Sequence, residues 1–182
     1  IIGADTSRCV QARTRPPRPL TATPRFVRDG DWPRAMAAET LEQFHAGLLA
    51  DPAGTLERFL ALQVRGSEAA RETLRTLRRE LAARRAPDPQ ALALGLELLR
   101  VSDLRARLPD IACPTLWLFG DRDTLVPAAT GTAIAGLTPA ARVHTIRGAA
   151  HAPFLSHPTE TAAVIGAFLT ELPGDGRLEA RA

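Results

Sequence analysis

The sequence predicts an α/β chain in which a block of four helices precedes two strands of a parallel sheet, each strand followed by a helix. Apolar residues recur at helical spacing through residues 37–101, whereas Pro114 to Phe119 (PTLWLF) is a short, continuously apolar run closed by Gly120, as for a strand buried on both faces. A second run, RVHTI at residues 142–146, alternates and is flanked by helical segments, which sets the order β-α-β-α.

Residues 1–20 differ in texture from the rest. The stretch RTRPPRP has neither helical nor strand period, so residues 1–20 are expected to be irregular. From Thr21 the stretch ATPRFVRDGDWPRA carries turn chemistry around a few apolar anchors. The first helix is predicted over 37–49, with Met36, Leu41, Phe44 and Leu48 on one face, and Asp51-Pro52 breaks it. The second is predicted over 54–64, with Leu56, Phe59, Leu60 and Gln63 at helical spacing, and Gly66 ends it. A third over 68–84 carries the stripe Leu74, Leu77 and Leu81, and Pro87 and Pro89 separate it from a fourth over 90–101. Beyond the PTLWLF strand, Pro127 opens a helix reaching about residue 137. After RVHTI comes a loop over 148–153, then an amphipathic helix over 159–172 with Val164, Ile165, Phe168 and Leu169 inward. The expected organisation is an irregular segment (1–20), a helical lid (21–102), an α/β part (103–173) and a polar, frayed tail (174–182). Two strands cannot make an independent sheet covered on both faces, so the sheet is expected to be part of a larger one.

Composition narrows the function classes. A hydrophobic content of 45% over 182 residues suits a globular core. No run of eighteen apolar residues is present, so no membrane span is expected, and no apolar signal segment precedes a cleavage site, so a cytoplasmic location is expected. Cys9 and Cys113 have no metal-ligand spacing around them and read as buried or incidental thiols. All 23 basic residues are Arg, so the pI stands near 10.0 although the net charge is only +3. That balance argues weakly for nucleic acid and better for local pairing with carboxylates or phosphates; coding bias would produce it equally.

Two loops carry the chemistry. Gly120-Asp121-Arg122-Asp123-Thr124-Leu125-Val126-Pro127 follows the first strand, and Gly148-Ala149-Ala150-His151-Ala152-Pro153-Phe154 follows the second. Loops leaving the carboxyl ends of adjacent parallel strands lie side by side, so an Asp and His151 are expected within hydrogen-bond reach. A carboxylate on imidazole Nδ1–H fixes the tautomer and leaves Nε2 as a general base for a nucleophile. The plainer alternatives are an Asp that merely caps a helix and a structural His.

The strings TLERFLALQ with GSEAAR, GLELLRVSDLR, LFGDRDTLVP and AAHAPFLSHP make residues 21–169 resemble the C-terminal portion of the pimeloyl-acyl-carrier-protein methyl ester carboxylesterases, α/β-hydrolases of biotin synthesis. The resemblance implies a partial α/β-hydrolase fold: a four-helix lid followed by the last β-α-β-α units of the parallel sheet. It implies Asp123 as the triad acid rather than Asp121, His151 as the base, and His157 as a structural partner. It implies that Phe59, Leu60, Ala61, Leu62 and Gln63, together with His151, contact substrate; ordinary helix core is the alternative for the five lid residues. Acyl carrier protein bearing a pimeloyl methyl ester is the implied partner, docked on Arg58, Arg71 and Arg75, with Arg78 or Arg79 extending the stripe and no cofactor or metal required. The alternative is a solvated face held by Glu68, Glu72 and Glu80.

The sequence departs from that family in its first twenty residues, which do not resemble the family's strand before the lid, at Gly54, where the family has a basic residue, and above all in its nucleophile. The family's nucleophile stands in G-x-S-x-G, and no such string occurs here; Ser7, Ser67, Ser102 and Ser156 are in no strand-turn-helix elbow. The expectation is a carboxylic ester hydrolase by family whose 182-residue chain is inactive alone, with truncation, a wrong start or a frame shift left open as the origin. The alternatives are a general α/β-hydrolase esterase and an inactive, carrier-binding lid fragment.

Overall fold

The computed structural model describes residues 18–20, 23–84 and 88–172. A first strand, β1 (Arg18–Leu20), is followed by four helices: α1 (Ala38–Ala50), α2 (Pro52–Val64), α3 (Ala70–Ala82) and α4 (Pro89–Val101). A 3-10 segment, Arg105–Asp110, leads into β2 (Thr115–Gly120), then α5 (Thr130–Leu137), β3 (Ala141–Ile146), the short α6 (Pro153–Ser156) and α7 (Pro158–Thr170). The breaks follow local chemistry. Asp51 Oδ1 accepts from Gly54 N–H at 2.9 Å and Pro52 opens α2; Asp88 Oδ1 accepts from Gln90 N–H at 2.9 Å and Pro89 opens α4.

One strand lies where the sequence predicts irregular chain. Arg18–Leu20 forms β1, parallel to β2 in the register Arg18↔Thr115 to Leu20↔Trp117, which corrects the expectation for the end of segment 1–20. Proline is tolerated there because an edge strand needs no ladder donor on its outer side, so no alternating pattern announces the strand. Residues 1–17, with Ser7 and Cys9, and residues 173–182 lie outside the described residues.

The sheet order is β1-β2-β3, all parallel. Every residue of central β2 is buried, as its unbroken apolar run predicts. Successive side chains point to opposite faces. Leu116 and Leu118 meet Phe168 of α7, while Trp117 and Phe119 join the main core with Phe26, Trp32, Met36, Leu41, Leu125 and Ile134. Cys113 packs half-buried against that core. On α1, Leu41, Phe44 and Leu48 are buried as expected. The inward stripe expected for α3 is looser: Leu74, Leu77 and Leu81 are half-buried and only Thr73 is fully buried. On α7, Phe168 is buried with Val164 and Ile165 beside it, but Leu169 is 47% exposed, so the inward stripe is narrower than the sequence predicts.

At the base of the four helices, the segment before α1 is tied by charge to the chain that follows α4. Arg105 pairs with Asp31 (2.9 Å) and Asp103 (2.6 Å) and lies over the Trp32 ring, and Asp103 also takes Arg25 at 2.8 Å. Hydrogen bonds from Arg105, then from Arg25, hold the Asp103 carboxyl well below the usual carboxylate range, and Arg105 is raised by its bonds to Asp103 and Asp31.

Candidate active site

The two loops meet as parallel-sheet geometry requires. Gly120 ends β2 directly against the second loop: a Cβ there would collide with the carbonyl oxygens of Ala149 and Ala150. This glycine permits the contact between the acid-bearing and His-bearing loops.

Asp123 has a side chain only 4% exposed, and each carboxylate oxygen has its own task. Oδ1 accepts from the backbone N–H groups of Leu125 (2.8 Å) and Val126 (2.9 Å), which fixes the carboxylate. Oδ2 lies 2.8 Å from His151 Nδ1. A carboxylate oxygen only accepts, so Nδ1–H donates to Asp123 and Nε2 is the ring nitrogen left for a substrate or nucleophile. The His151 side chain is 19% exposed, and its Nε2 takes no hydrogen bond from any described residue. Held this way, the ring is suited to remove a proton from an incoming hydroxyl and stabilise the resulting charge through Asp123.

The two aspartates of the first loop have separate places. Asp121 Oδ1 accepts from Gly148 N–H at 2.8 Å, so it holds the second loop rather than the ring. His157 Nδ1 donates to Ser156 Oγ at 2.8 Å, and that hydroxyl donates to Ala152 O at 3.2 Å, so the pair closes the turn at α6. Ser67 Oγ accepts from Ala69 N–H at 3.3 Å. Ser102 is the residue after α4.

The five lid residues divide among several environments, because consecutive positions on a helix cannot share one face. Leu60 is buried with Thr55 and Val64 on the inward side. Phe59 packs edge-on against Phe44, centroids 5.7 Å apart. Ala61 and Leu62 line a cavity of about 550 Å³ between α1 and α2, with Phe44, Arg58 and Arg65. Gln63 meets the site through its backbone, its carbonyl accepting from His151 N–H at 3.1 Å.

Of the basic residues, Arg58 donates to Thr55 Oγ1 at 2.7 Å and stands 3.7 Å from Asp51, and Arg78 pairs with Glu57 at 2.8 Å. Arg71 and Arg75 are exposed on α3 and make no ion pair among the described residues; Glu68 is instead engaged by Arg122. Arg122 is a site neighbour to which the sequence assigned no role. Among the described residues no group of three or more His, Cys, Asp or Glu could hold a metal ion, and no helix is long and apolar enough to cross a membrane.

Residues 3–164 match the model of the alpha/beta hydrolase family. The chain is 50% identical over 154 residues to a pimeloyl-[acyl-carrier protein] methyl ester esterase of Xanthomonas oryzae pv. oryzae, covering 85% of this chain and 61% of that protein. It is 51% identical over 158 residues to the protein of the same name from Stenotrophomonas maltophilia, covering 86% and 61%. The chain thus spans about three-fifths of the length of these relatives. Among solved structures it is similar to a bromoperoxidase from Bacillus anthracis (TM-score 0.72, 24% identity, 81% of this chain and 55% of that one). It is also similar to an esterase from Exiguobacterium antarcticum (TM-score 0.71, 17% identity, 81% and 54%). These structural likenesses speak for the fold: a lid of four helices set on part of a parallel sheet.

Proposed function

Because the chain belongs to the alpha/beta hydrolase family, we propose that it carries the lid and the acid–base pair of a carboxylic ester hydrolase. The single observation behind this reading is the 2.8 Å contact between His151 Nδ1 and Asp123 Oδ2 at the carboxyl ends of two parallel strands. His151 Nε2 takes the proton of a serine hydroxyl as that oxygen attacks the ester carbonyl. The imidazolium, oriented by Asp123, then protonates the departing alcohol, and Nε2 activates water to release the acid. The serine belongs to a G-x-S-x-G string that the 182-residue sequence does not contain, so the chain by itself hydrolyses no ester.

The substrate proposed is the one in the relatives' names, a pimeloyl methyl ester on acyl carrier protein, handled in the cytoplasm. Half the aligned positions are identical to those of the Xanthomonas protein, which supports the transfer. Arg58, Arg71 and Arg75 form the proposed carrier surface; the exposed guanidinium groups of Arg71 and Arg75, without ion pairs among the described residues, suit an acidic partner. Phe59, Leu60, Ala61, Leu62 and Gln63 are the proposed lid contacts of the acyl chain. A second reading, an inactive carrier-binding lid, is favoured by the same two arginines together with the lack of G-x-S-x-G.

A chimera tests the first reading: the part of the Xanthomonas oryzae relative that this chain does not cover, where the family resemblance implies the G-x-S-x-G string, is joined to this chain. It is expected to hydrolyse carrier-linked methyl esters faster than free short-chain ones, and His151→Ala is expected to lower kcat by about 10⁴-fold or more. Turnover by the 182-residue chain alone, or a chimera indifferent to His151→Ala, overturns the proposal. Carrier binding without turnover in the chimera supports the second reading.

A further inference from the structure

The His-bearing loop is strung between two separate parts of the molecule. On the acid side, Asp121 Oδ1 accepts from Gly148 N–H at 2.8 Å and Ala149 O accepts from Arg122 N–H at 3.0 Å. On the lid side, Gly148 O accepts from Glu68 N–H at 3.1 Å and Gln63 O accepts from His151 N–H at 3.1 Å. Gly148 and His151 are therefore hydrogen-bonded, respectively, to the turn joining α2 to α3 and to the last turn of α2.

Arg122 closes this seam from the acid loop. Its guanidinium donates through Nη1 to Gly66 O at 3.0 Å and through Nη2 to Glu68 Oε1 at 2.9 Å. One planar fork thus grips a carbonyl and a carboxylate two residues apart in the lid turn, a geometry that a lysine ammonium on a flexible stem does not reproduce. Among the described residues, positive φ occurs at Gly66 (85°) and Gly148 (76°), and both lie in this seam. A Cβ on Gly148 would come within 2.8 Å of Glu68 Cδ, and one on Gly66 within 3.4 Å of Arg122 Cβ. Left-handed backbone on both sides lets the lid turn and the His loop approach this closely.

We infer that Arg122 is a positioning residue: by gripping Gly66 and Glu68 it latches the lid to the His151 loop, so that lid and base hold one relative position. The Arg122 guanidinium bonds to Gly66 and Glu68 and not to the imidazole; it acts through the α2–α3 turn, whose neighbour Gln63 holds His151 N–H. The significance of the latch for turnover rests on the hydrolase reading above, whereas its mechanical content does not.

The test reads the loop itself. Backbone amide exchange at His151 and Glu68 is measured by NMR in the 182-residue chain and in its Arg122→Ala, Glu68→Ala, doubly substituted and Arg122→Lys variants. Arg122→Ala is expected to speed exchange at both amides by about 10-fold while amides of β2 stay unchanged. The double variant should exceed Arg122→Ala by little, and Arg122→Lys should restore only part of the protection. Unchanged exchange at His151, an equal rise throughout β2, or full rescue by Lys overturns the latch. In the chimera, Arg122→Ala is expected to lower kcat about 10-fold with KM nearly constant. If the chimera does not need His151 but the exchange pattern is found, the catalytic reading falls and the latch stands. If it needs His151 and exchange is unmoved, the latch alone falls.

Discussion

Strand β2 is buried at every position, whereas helix α4, of thirteen residues, buries none of its side chains fully and leaves Leu94, Leu98 and Val101 more than half exposed. Both segments are apolar; they differ in what surrounds them. β2 has a strand on each side and packed side chains on both faces, so burial of each residue is shared by several neighbours. α4 rests mainly on α1 along one stripe, with Leu96 and Leu99 half-buried toward the core. Asp123 and His151 sit at the end of the tightly packed part, whereas Arg71 and Arg75, proposed for the carrier, are exposed on α3, which buries only Thr73. Chemistry needs fixed geometry, and a lid needs low local stability.

Substitutions can break or sharpen this contrast. Trp117→Ala empties a buried site in β2 and is expected to cost about 3–5 kcal/mol in denaturant unfolding. A loss below about 1 kcal/mol would mean the sheet end is no tighter than the lid. Asp123→Ala is expected to cost about 1–3 kcal/mol, because the N–H groups of Leu125 and Val126 lose their acceptor inside the protein. Asp123→Asn, which retains an Oδ1 acceptor, is expected to be milder in stability.

Acid separates the regions by a smaller margin. The Asp103 carboxyl has an ordinary value of 3.8 and is lowered in the folded chain by Arg105 and Arg25. Its contribution is therefore complete above about pH 4 and is lost as pH falls from there through the lowered value. The side chain is about a third exposed, so the loss is at most about 1 kcal/mol, seen as earlier acid opening of the lid base than of β2 by amide exchange. Asp103→Asn should remove that difference; if it persists unchanged, the ion pairs do not hold the base. Leu98→Ala is the smallest effect expected, within about 0.5 kcal/mol, since the side chain is already mostly in water.

What could be read beforehand follows the same division. β2 was legible because an apolar run without alternation, closed by Gly120, fits a strand covered on both faces, and the nearness of Asp123 and His151 followed from parallel strands placing their carboxyl ends together. The four lid helices were legible from their breakers, Asp51-Pro52, Gly66 and Pro89. β1 was not, because its pairing is supplied by the edge of β2 and RPL has no pattern of its own. Nor was the outward turn of Leu169, because its neighbour Phe168 takes the place against Leu116 and Leu118. The Arg122–Glu68 contact joins residues 54 apart, and no local period encodes it.

The most direct trial of the acid–base pair is kcat of the serine-complete chimera carrying Asp123→Ala, His151→Ala, or both. Two groups working as one unit predict that His151→Ala alone costs nearly as much as the double change, on the order of 10⁴-fold. Losses that multiply, as for independent residues, would contradict the account.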